Sequence, residues 1–519
     1  MTNAFESPQH YRNLILKNVA VKAERKPFSG KSFTCVSFTR FCPVGCRFCF
    51  FSSSPAEKQK TIADAFTEEG LERFIQFMNE ANLGYLLVSG GGEPFMERNC
   101  LLNVVERVKS DNIVLVTSGN WAKSRAGAAN YVRQIYAAFE RRTSPAKVVI
   151  RLSVDEEHGS VGLEPAFHLI SLFEENYLTQ EKFKLQFHTL FDDPCIDNML
   201  HELKDRTVSV EEGQCKSDGD TILKVNPAEK IIKLSSGLEI KVGYAKRFNS
   251  NIKVNLNDPE VIAKNLSIFQ WDLSESEENN PSVVTNLKGG KGLDFWVNFN
   301  GNVTTWGNQV PDNLYNIYED SYEDVVNGTF ADPISLAYLE KGDPYRDRIV
   351  REVNPKAAIR AKATNIRDYT GAIICEEEKT RLYLSLRILQ DYIKEQRVTP
   401  EKVKAWPIEI QQLVALEKAE LISLYRKSEH SIVDQYIQRP FNKFEWLDLF
   451  ELIKCGHYEI GPAIIQKAIG YYNQHVNEPV NSVDNISNKP SGFFHEERII
   501  GMKPTVANRY IPREELALV

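Results

Sequence analysis

Cys42-Pro43-Val44-Gly45-Cys46-Arg47-Phe48-Cys49 places three thiols within eight positions, at spacings of four and three residues. Three thiolates clustered in this way can hold three irons of a 4Fe–4S cubane and leave the fourth iron open to a small molecule. A closed zinc site needs a fourth ligand, and no further Cys or His stands at finger spacing around the motif. A zinc-binding interaction module therefore fails on ligand count.

Some forty residues on comes Leu86-Leu87-Val88-Ser89-Gly90-Gly91-Gly92-Glu93-Pro94. An apolar run that ends in glycines reads as a buried strand followed by a tight backbone approach. Between the two motifs, Thr67 can cap a helix whose stripe is Leu71, Phe74, Ile75 and Met78. Beyond them the periodicity predicts helix 99–109, strand 113–117, helix 126–141, strand 147–154, helix 164–176 and strand 184–190. Short apolar strands alternating with helices are the pattern of a parallel α/β sheet. Polar residues gather where the strands end, at Ser118 and Asn120 and again at Ser153 and Asp155, the edge at which such sheets place ligands.

The Cys-x3-Cys-x2-Cys pattern, with Phe48 before its last Cys, and the Gly-Gly-Glu-Pro of residues 91–94 resemble the radical S-adenosylmethionine (radical SAM) superfamily. The resemblance implies a partial (β/α) barrel over roughly 31–250, with one 4Fe–4S cluster on Cys42, Cys46 and Cys49. It further implies SAM bound by Gly91, Gly92, Glu93 and Pro94, with Phe48 near the adenine. Ser153 and Asp155 match the family strand that contacts ribose and the methionyl carboxylate; Arg151 is the candidate partner of that carboxylate. Ser118 is a further candidate, and His188 could face the same cavity. Glu93 has an alternative role as a loop-fixing carboxylate, and Ser153 and Asp155 have one as a strand-end cap. The implied activity is reductive cleavage of SAM to a 5′-deoxyadenosyl radical that abstracts hydrogen from a peptide or small-metabolite substrate. The cofactors carry that chemistry, so no side chain is assigned a catalytic role. The electron would come from a one-electron reductant such as flavodoxin or ferredoxin. A non-catalytic iron–sulfur electron carrier or sensor is the alternative, which needs neither the Gly-Gly-Glu-Pro segment nor the polar strand ends.

Downstream, residues 221–244 read as a β-hairpin or meander, and Asn300-Gly301 as the turn of a further hairpin, 295–306. With Asn316-Ile317 after it, that hairpin resembles a degenerate SPASM or twitch extension; the family's first auxiliary-cluster Cys would fall near Trp306, where none stands. Helical periodicity then dominates over 380–394, 400–426 and 440–476, and a proline-containing tail closes the chain. The expected organisation is an N-terminal segment (1–30), the barrel (31–250), the hairpin extension (251–330), an α-helical C-terminal region (331–477) and an extended tail (478–519).

The composition sets outer bounds. Across 519 residues, 42% hydrophobic and 26% charged is the make-up of a soluble globular chain. No run of about 18 apolar residues suggests a membrane span, and the first residues carry no secretory pattern. Nine Cys, an odd number with three of them clustered, fit a reducing cytoplasm better than a disulfide framework. A net charge of −7 argues against a nucleic-acid surface. The other six Cys, at 35, 100, 195, 215, 375 and 455, are scattered and read as ordinary thiols.

Overall fold

A computed structural model describes residues 3–19, 21, 31–44, 46, 66–159, 161–190, 193–212, 230–245, 293, 295–305, 310, 315–354, 373–374 and 377–436. Its strands are β1 (Ser32–Val36), β2 (Leu83–Val88), β3 (Ser110–Thr117), β4 (Lys147–Ser153), β5 (Phe183–Leu190), β6 (Thr207–Glu212), β7 (Lys230–Leu234), β8 (Glu239–Ala245), β9 (Phe295–Val297), β10 (Asn302–Thr305) and β11 (Tyr315–Asn316). Its helices are α1 (Pro8–Asn18), α2 (Glu68–Glu80), α3 (Arg98–Arg107), α4 (Arg125–Glu140), α5 (Glu164–Asn176), α6 (Cys195–Glu202), α7 (Tyr322–Ala331), α8 (Pro333–Val353), α9 (Glu378–Lys394), α10 (Pro400–Lys404), α11 (Ile408–Val414) and α12 (Lys418–Tyr436).

All the described strands join one sheet in the order β11-β10-β9-β1-β2-β3-β4-β5-β8-β7-β6. From β9 to β8 every neighbouring pair is parallel. β1 to β5 follow one another in sequence order, with a helix in each connection from β1 onward. Winding that never reverses direction, with crossovers of one hand, delivers all its helices to the same face. The packing agrees. Val148, Ile150 and Leu152 of β4 and Leu185 and Phe187 of β5 share a core with Phe74 and Met78 of α2, Val104 of α3, Val132 of α4 and Leu169 of α5. On the opposite face Phe33, Cys35 and Trp296 form a separate cluster against Tyr85 and Leu87. Strand residues alternate between these faces, so Arg151 and Ser153 are half-exposed between buried neighbours.

Local chemistry sets the element ends. The Thr67 hydroxyl accepts from the Gly70 N–H at 2.9 Å and opens α2 as expected, and α5 has the expected bounds. The Asn300-Gly301 turn joins β9 to β10, with Gly301 at φ +84°. Near the chain start, α1 is pinned to the C-terminal helices by Arg12. Its buried guanidinium donates to Ser385 Oγ (2.9 Å) and Asp332 Oδ1 (2.6 Å), while Asp332 also caps α8.

The sheet is not closed among the described residues, because both flanks of the parallel set are already paired. Several expectations about its surroundings need amendment. The β10–β11 hairpin extends β9, and β7 and β6 extend β8. The hairpin of 295–305 is continuous with this sheet, since β9 lies parallel beside β1. In the 221–244 stretch, Lys230–Leu234 and Glu239–Ala245 form the expected hairpin; Ile222–Val225 lies outside the described residues. The pairing of β6 with β7 had no counterpart in the sequence reading. The single helix expected over 400–426 is three, α10 to α12, broken first at Trp406-Pro407, where proline disfavours helix in the residue before it. Helices α1, α6 and α7 were not anticipated, α8 falls within the region expected to be helical, and 440–476 and the tail lie outside the described residues. No helix among the described residues is long and apolar enough to cross a membrane.

Candidate functional site at the strand carboxyl ends

Five consecutive strands, β1 to β5, point their carboxyl ends at one edge, and Cys42, Cys46, Gly91–Pro94, Ser118, Ser153 and Asp155 stand at the ends of these strands or in the segments that follow them. After β1 the chain leaves on a long excursion whose two stems are held together. The Phe66 N–H donates to the Phe38 carbonyl (3.1 Å), and the Phe38, Phe66 and Phe74 rings pack on one another. Just past that staple stand Cys42 and Cys46, both half-buried. Phe48 and Cys49 lie outside the described residues.

The glycine loop after β2 closes directly on the first leg of this excursion. The Glu93 N–H donates to the Phe41 carbonyl at 2.9 Å, next to Cys42, and the Ser37 hydroxyl donates to the Gly90 carbonyl. A Cβ on Gly92 would stand 2.2 Å from the Phe41 carbonyl oxygen; one on Gly91, which has φ +90°, would stand 2.8 Å from the Thr39 oxygen. The two glycines are thus required by the approach of one loop to the other. Pro94 is buried at the start of a 3₁₀ turn, Pro94–Met96, that Glu93 caps.

Glu93 itself is buried and fully engaged. Its carboxylate accepts from the Phe95 N–H (3.2 Å), Thr117 Oγ1 (2.7 Å), and both the N–H (2.8 Å) and hydroxyl (2.6 Å) of Ser118. A charged acceptor with this many donors is stable out of water. Thr117 Oγ1 accepts in turn from Gly119 N–H (3.0 Å) and Trp121 Nε1 (2.8 Å), and Trp121 stacks on Phe95 at 4.6 Å. Glu93 and Ser118 therefore lock the loop after β2 to the loop after β3. This is the loop-fixing role weighed above for Glu93, and Ser118 shares it. Asn120 is half-exposed in the following 3₁₀ turn.

At the end of β4, Asp155 is buried and caps the 3₁₀ turn Glu156–His158, accepting from the His158 N–H at 3.0 Å. Its carboxylate also holds His158 Nδ1, at 2.8 and 2.9 Å. The strand-end cap is thus what the structure displays for Asp155. Burial opposes charge on the His158 ring, but its bond to Asp155 and the nearness of Cys46 outweigh that and push its pKa up to about 10. Asp193 after β5 completes the edge, accepting from Glu156 N–H (2.8 Å) and Cys195 N–H (2.9 Å).

Ser153 is half-exposed on the face that bears Arg151. Arg151 lies deeper in the strand, where its guanidinium donates to Tyr85 OH (3.1 Å) and Gln186 Oε1 (3.2 Å). His188 shares that face, half-exposed beside Gly243. His158 and Asp193 had no role in the sequence reading. The signal for His158 was present in the Asp-x-x-His spacing of Asp155 and His158, which suits a cap followed by an ion pair.

Among the described residues no three Cys, His, Asp or Glu side chains converge as ligands; the third thiol of the expected set, Cys49, is outside them. The donor chemistry still fits an iron–sulfur cluster, with Cys42 and Cys46 half-exposed on one braced loop. No curated protein matches the chain. Residues 28–137, about a fifth of the chain, match a family model described as a 4Fe-4S single cluster domain. That span contains the whole Cys motif, the glycine loop and Ser118, and the likeness supports an iron–sulfur protein with a cluster of the 4Fe–4S type.

Proposed function

We propose that this chain is a radical SAM enzyme on a partial (β/α) barrel, acting on a peptide or small-metabolite substrate. The observation that carries the reading is the clamp between the thiol loop and the glycine loop, made by Glu93 N–H on Phe41 and by the close fit of Gly91 and Gly92. It joins the two motifs at the ends of neighbouring parallel strands, where α/β sheets bind ligands. The unreversed winding of β1 to β5, with its helices on one face, suits a barrel segment.

Cys42, Cys46 and Cys49 would hold the cluster. When bound, the cluster and SAM supply the electron and the hydrogen-abstracting radical. The chain's own work is positioning. Glu93 and Ser118 keep the glycine loop in place; Ser153 offers a hydroxyl to the ribose, and Arg151, oriented by Tyr85 and Gln186, offers a cation to the methionyl carboxylate. Phe48, outside the described residues, would supply an apolar wall for the adenine.

The test is anaerobic turnover. Reconstituted protein given dithionite and SAM should release 5′-deoxyadenosine and methionine, and the Cys42→Ala variant should release none. The family likeness names a cluster alone, which favours one second reading, an electron carrier or sensor. Wild-type protein that holds a reducible cluster and binds SAM, yet cleaves none with any reductant or candidate substrate, would leave that second reading standing.

A further inference from the structure

The face of the sheet turned away from the helices carries more positive charge than the SAM reading uses. Val148, Ile150 and Leu152 of β4, Leu185 and Phe187 of β5, and Ile240 and Val242 of β8 face the helical core, so the residues that alternate with them lie on the other side. There Arg151 of β4 and Lys241 of β8 are the register partners of Gln186, one on each flank, and Lys184 stands two residues before Gln186 on β5. Strands about 4.8 Å apart put the three cations within about 10 Å of one another at the backbone. Arg151 and Lys184 are half-buried. Neither pairs with a carboxylate among the described residues; Arg151 donates to Gln186 Oε1 and to Tyr85 OH. Further along the same face, Glu211 of β6 and Glu239 of β8 both sit on Lys233, at 3.0 and 3.5 Å. With its carbonyl oxygen taken by Arg151, Gln186 has its NH2 group left for a ligand. Arg151, Lys184, Gln186 and Lys241 thus offer a ligand donors only.

We propose that Lys184 and Lys241, with the Gln186 amide beside them, bind a phosphate group of the substrate, which makes that substrate a phosphorylated small metabolite. The substrate assignment rests on the radical SAM reading; the anion site rests on the residues of β4, β5 and β8 alone. Like charges on neighbouring strands lower stability, and a half-buried cation without a counter-ion gives up hydration for nothing in return. An anion settling among them relieves both costs. The methionyl carboxylate assigned to Arg151 brings one negative charge against three positive. A phosphate monoester adds about −1.5 to −2 at pH 7 and three acceptor oxygens, enough to take a bond from each ammonium and one from the amide. Along the strands, the row of Arg151, Gln186 and Lys241 lies one step below that of Ser153, His188 and Gly243. A phosphate held there lies deeper than the ribose contact proposed for Ser153, and the body of the substrate extends toward the strand carboxyl ends.

The experiment is a phosphorus NMR titration of reconstituted full-length protein with inorganic phosphate at constant ionic strength. Wild type should bind phosphate saturably. Lys184→Gln and Lys241→Gln should each bind it about tenfold more weakly, the loss of one charge-assisted hydrogen bond. The control Lys204→Gln, at an exposed position after α6, should match wild type. Lys241 is exposed, so its variant keeps the test open should Lys184→Gln fail to fold. Saturating SAM should leave the phosphate bound. Absence of saturable binding in wild type, or undiminished binding in Lys241→Gln, would overturn the proposal. Acetate that displaces phosphate at equal concentration would overturn the choice of phosphate over carboxylate, and displacement by SAM would give the cations to the cofactor. Protein that cleaves SAM but binds no phosphate sinks this inference alone. Protein that binds phosphate but never cleaves SAM sinks the enzyme reading, and the substrate assignment with it, while the anion site stands.

Discussion

Replacing Gly92 with Ala tests whether the two motif loops need their close approach. The added Cβ would sit 2.2 Å from the Phe41 carbonyl oxygen, 2.7 Å from the Phe41 carbonyl carbon and 2.8 Å from that of Arg40. Comfortable contacts begin at roughly 3.4 Å, so one backbone must retreat by about 1 Å. None of these atoms belongs to a side chain that can rotate away. Overpacking of this kind costs about 1–3 kcal/mol. Retreat also breaks the bond from Glu93 N–H to the Phe41 carbonyl, a loss of about 0.5–1.5 kcal/mol. Together the two terms come to about 1.5–4.5 kcal/mol, a shift of roughly 12- to 1,600-fold in the equilibrium between closed and parted loops. Phe41 is bonded directly to Cys42, so the displacement reaches the first thiol of the motif. The expected result is a variant that folds, with native circular dichroism, yet retains less than half the wild-type iron after anaerobic reconstitution and desalting. Iron content and urea midpoint both equal to wild type would refute the reasoning.

Two further outcomes follow from the same edge of the sheet. Glu93→Gln turns an amide toward the Thr117 and Ser118 donors and leaves at least one of them unmatched, so the urea denaturation free energy should drop by about 1–3 kcal/mol; an unchanged value would mean that the carboxylate is dispensable to the loop. Cys195, whose thiol is pushed up to about 12 by burial and by Asp193, should be almost wholly protonated at pH 8.5, with a thiolate fraction on the order of 0.03%. Peptide mapping after brief iodoacetamide treatment at that pH should find it essentially unmodified, with labelling appearing only as the pH approaches the raised pKa.

Much of the fold was legible because its signals are local. The alternation of Val148, Ile150 and Leu152 with Arg151 and Ser153, the Thr67 cap of α2, and the Asn300-Gly301 turn each depend on residues a few positions apart. Periodicity and turn chemistry report such neighbours faithfully. The same holds for the three-thiol spacing, which names its own chemistry. Boundaries were less secure where a competing signal was short, as at Trp406-Pro407, where one proline divides what apolar spacing alone reads as a single helix.

The roles of the polar residues were settled by tertiary structure. Glu93 and Ser118 both read as cofactor contacts, but the fold turns them on each other across the ends of β2 and β3. Asp155 read as half of a ligand-facing pair with Ser153; beyond the strand its carboxylate turns to His158, in a turn that Asp193 ties to the end of β5. Likewise β9 takes its place beside β1, and Arg12 finds Asp332, across hundreds of residues of chain. A residue's place along the chain determines which face of a helix or strand it occupies. Which group satisfies a buried charge depends on the donors that other elements bring within about 3 Å, and the sheet must be assembled before those distances exist.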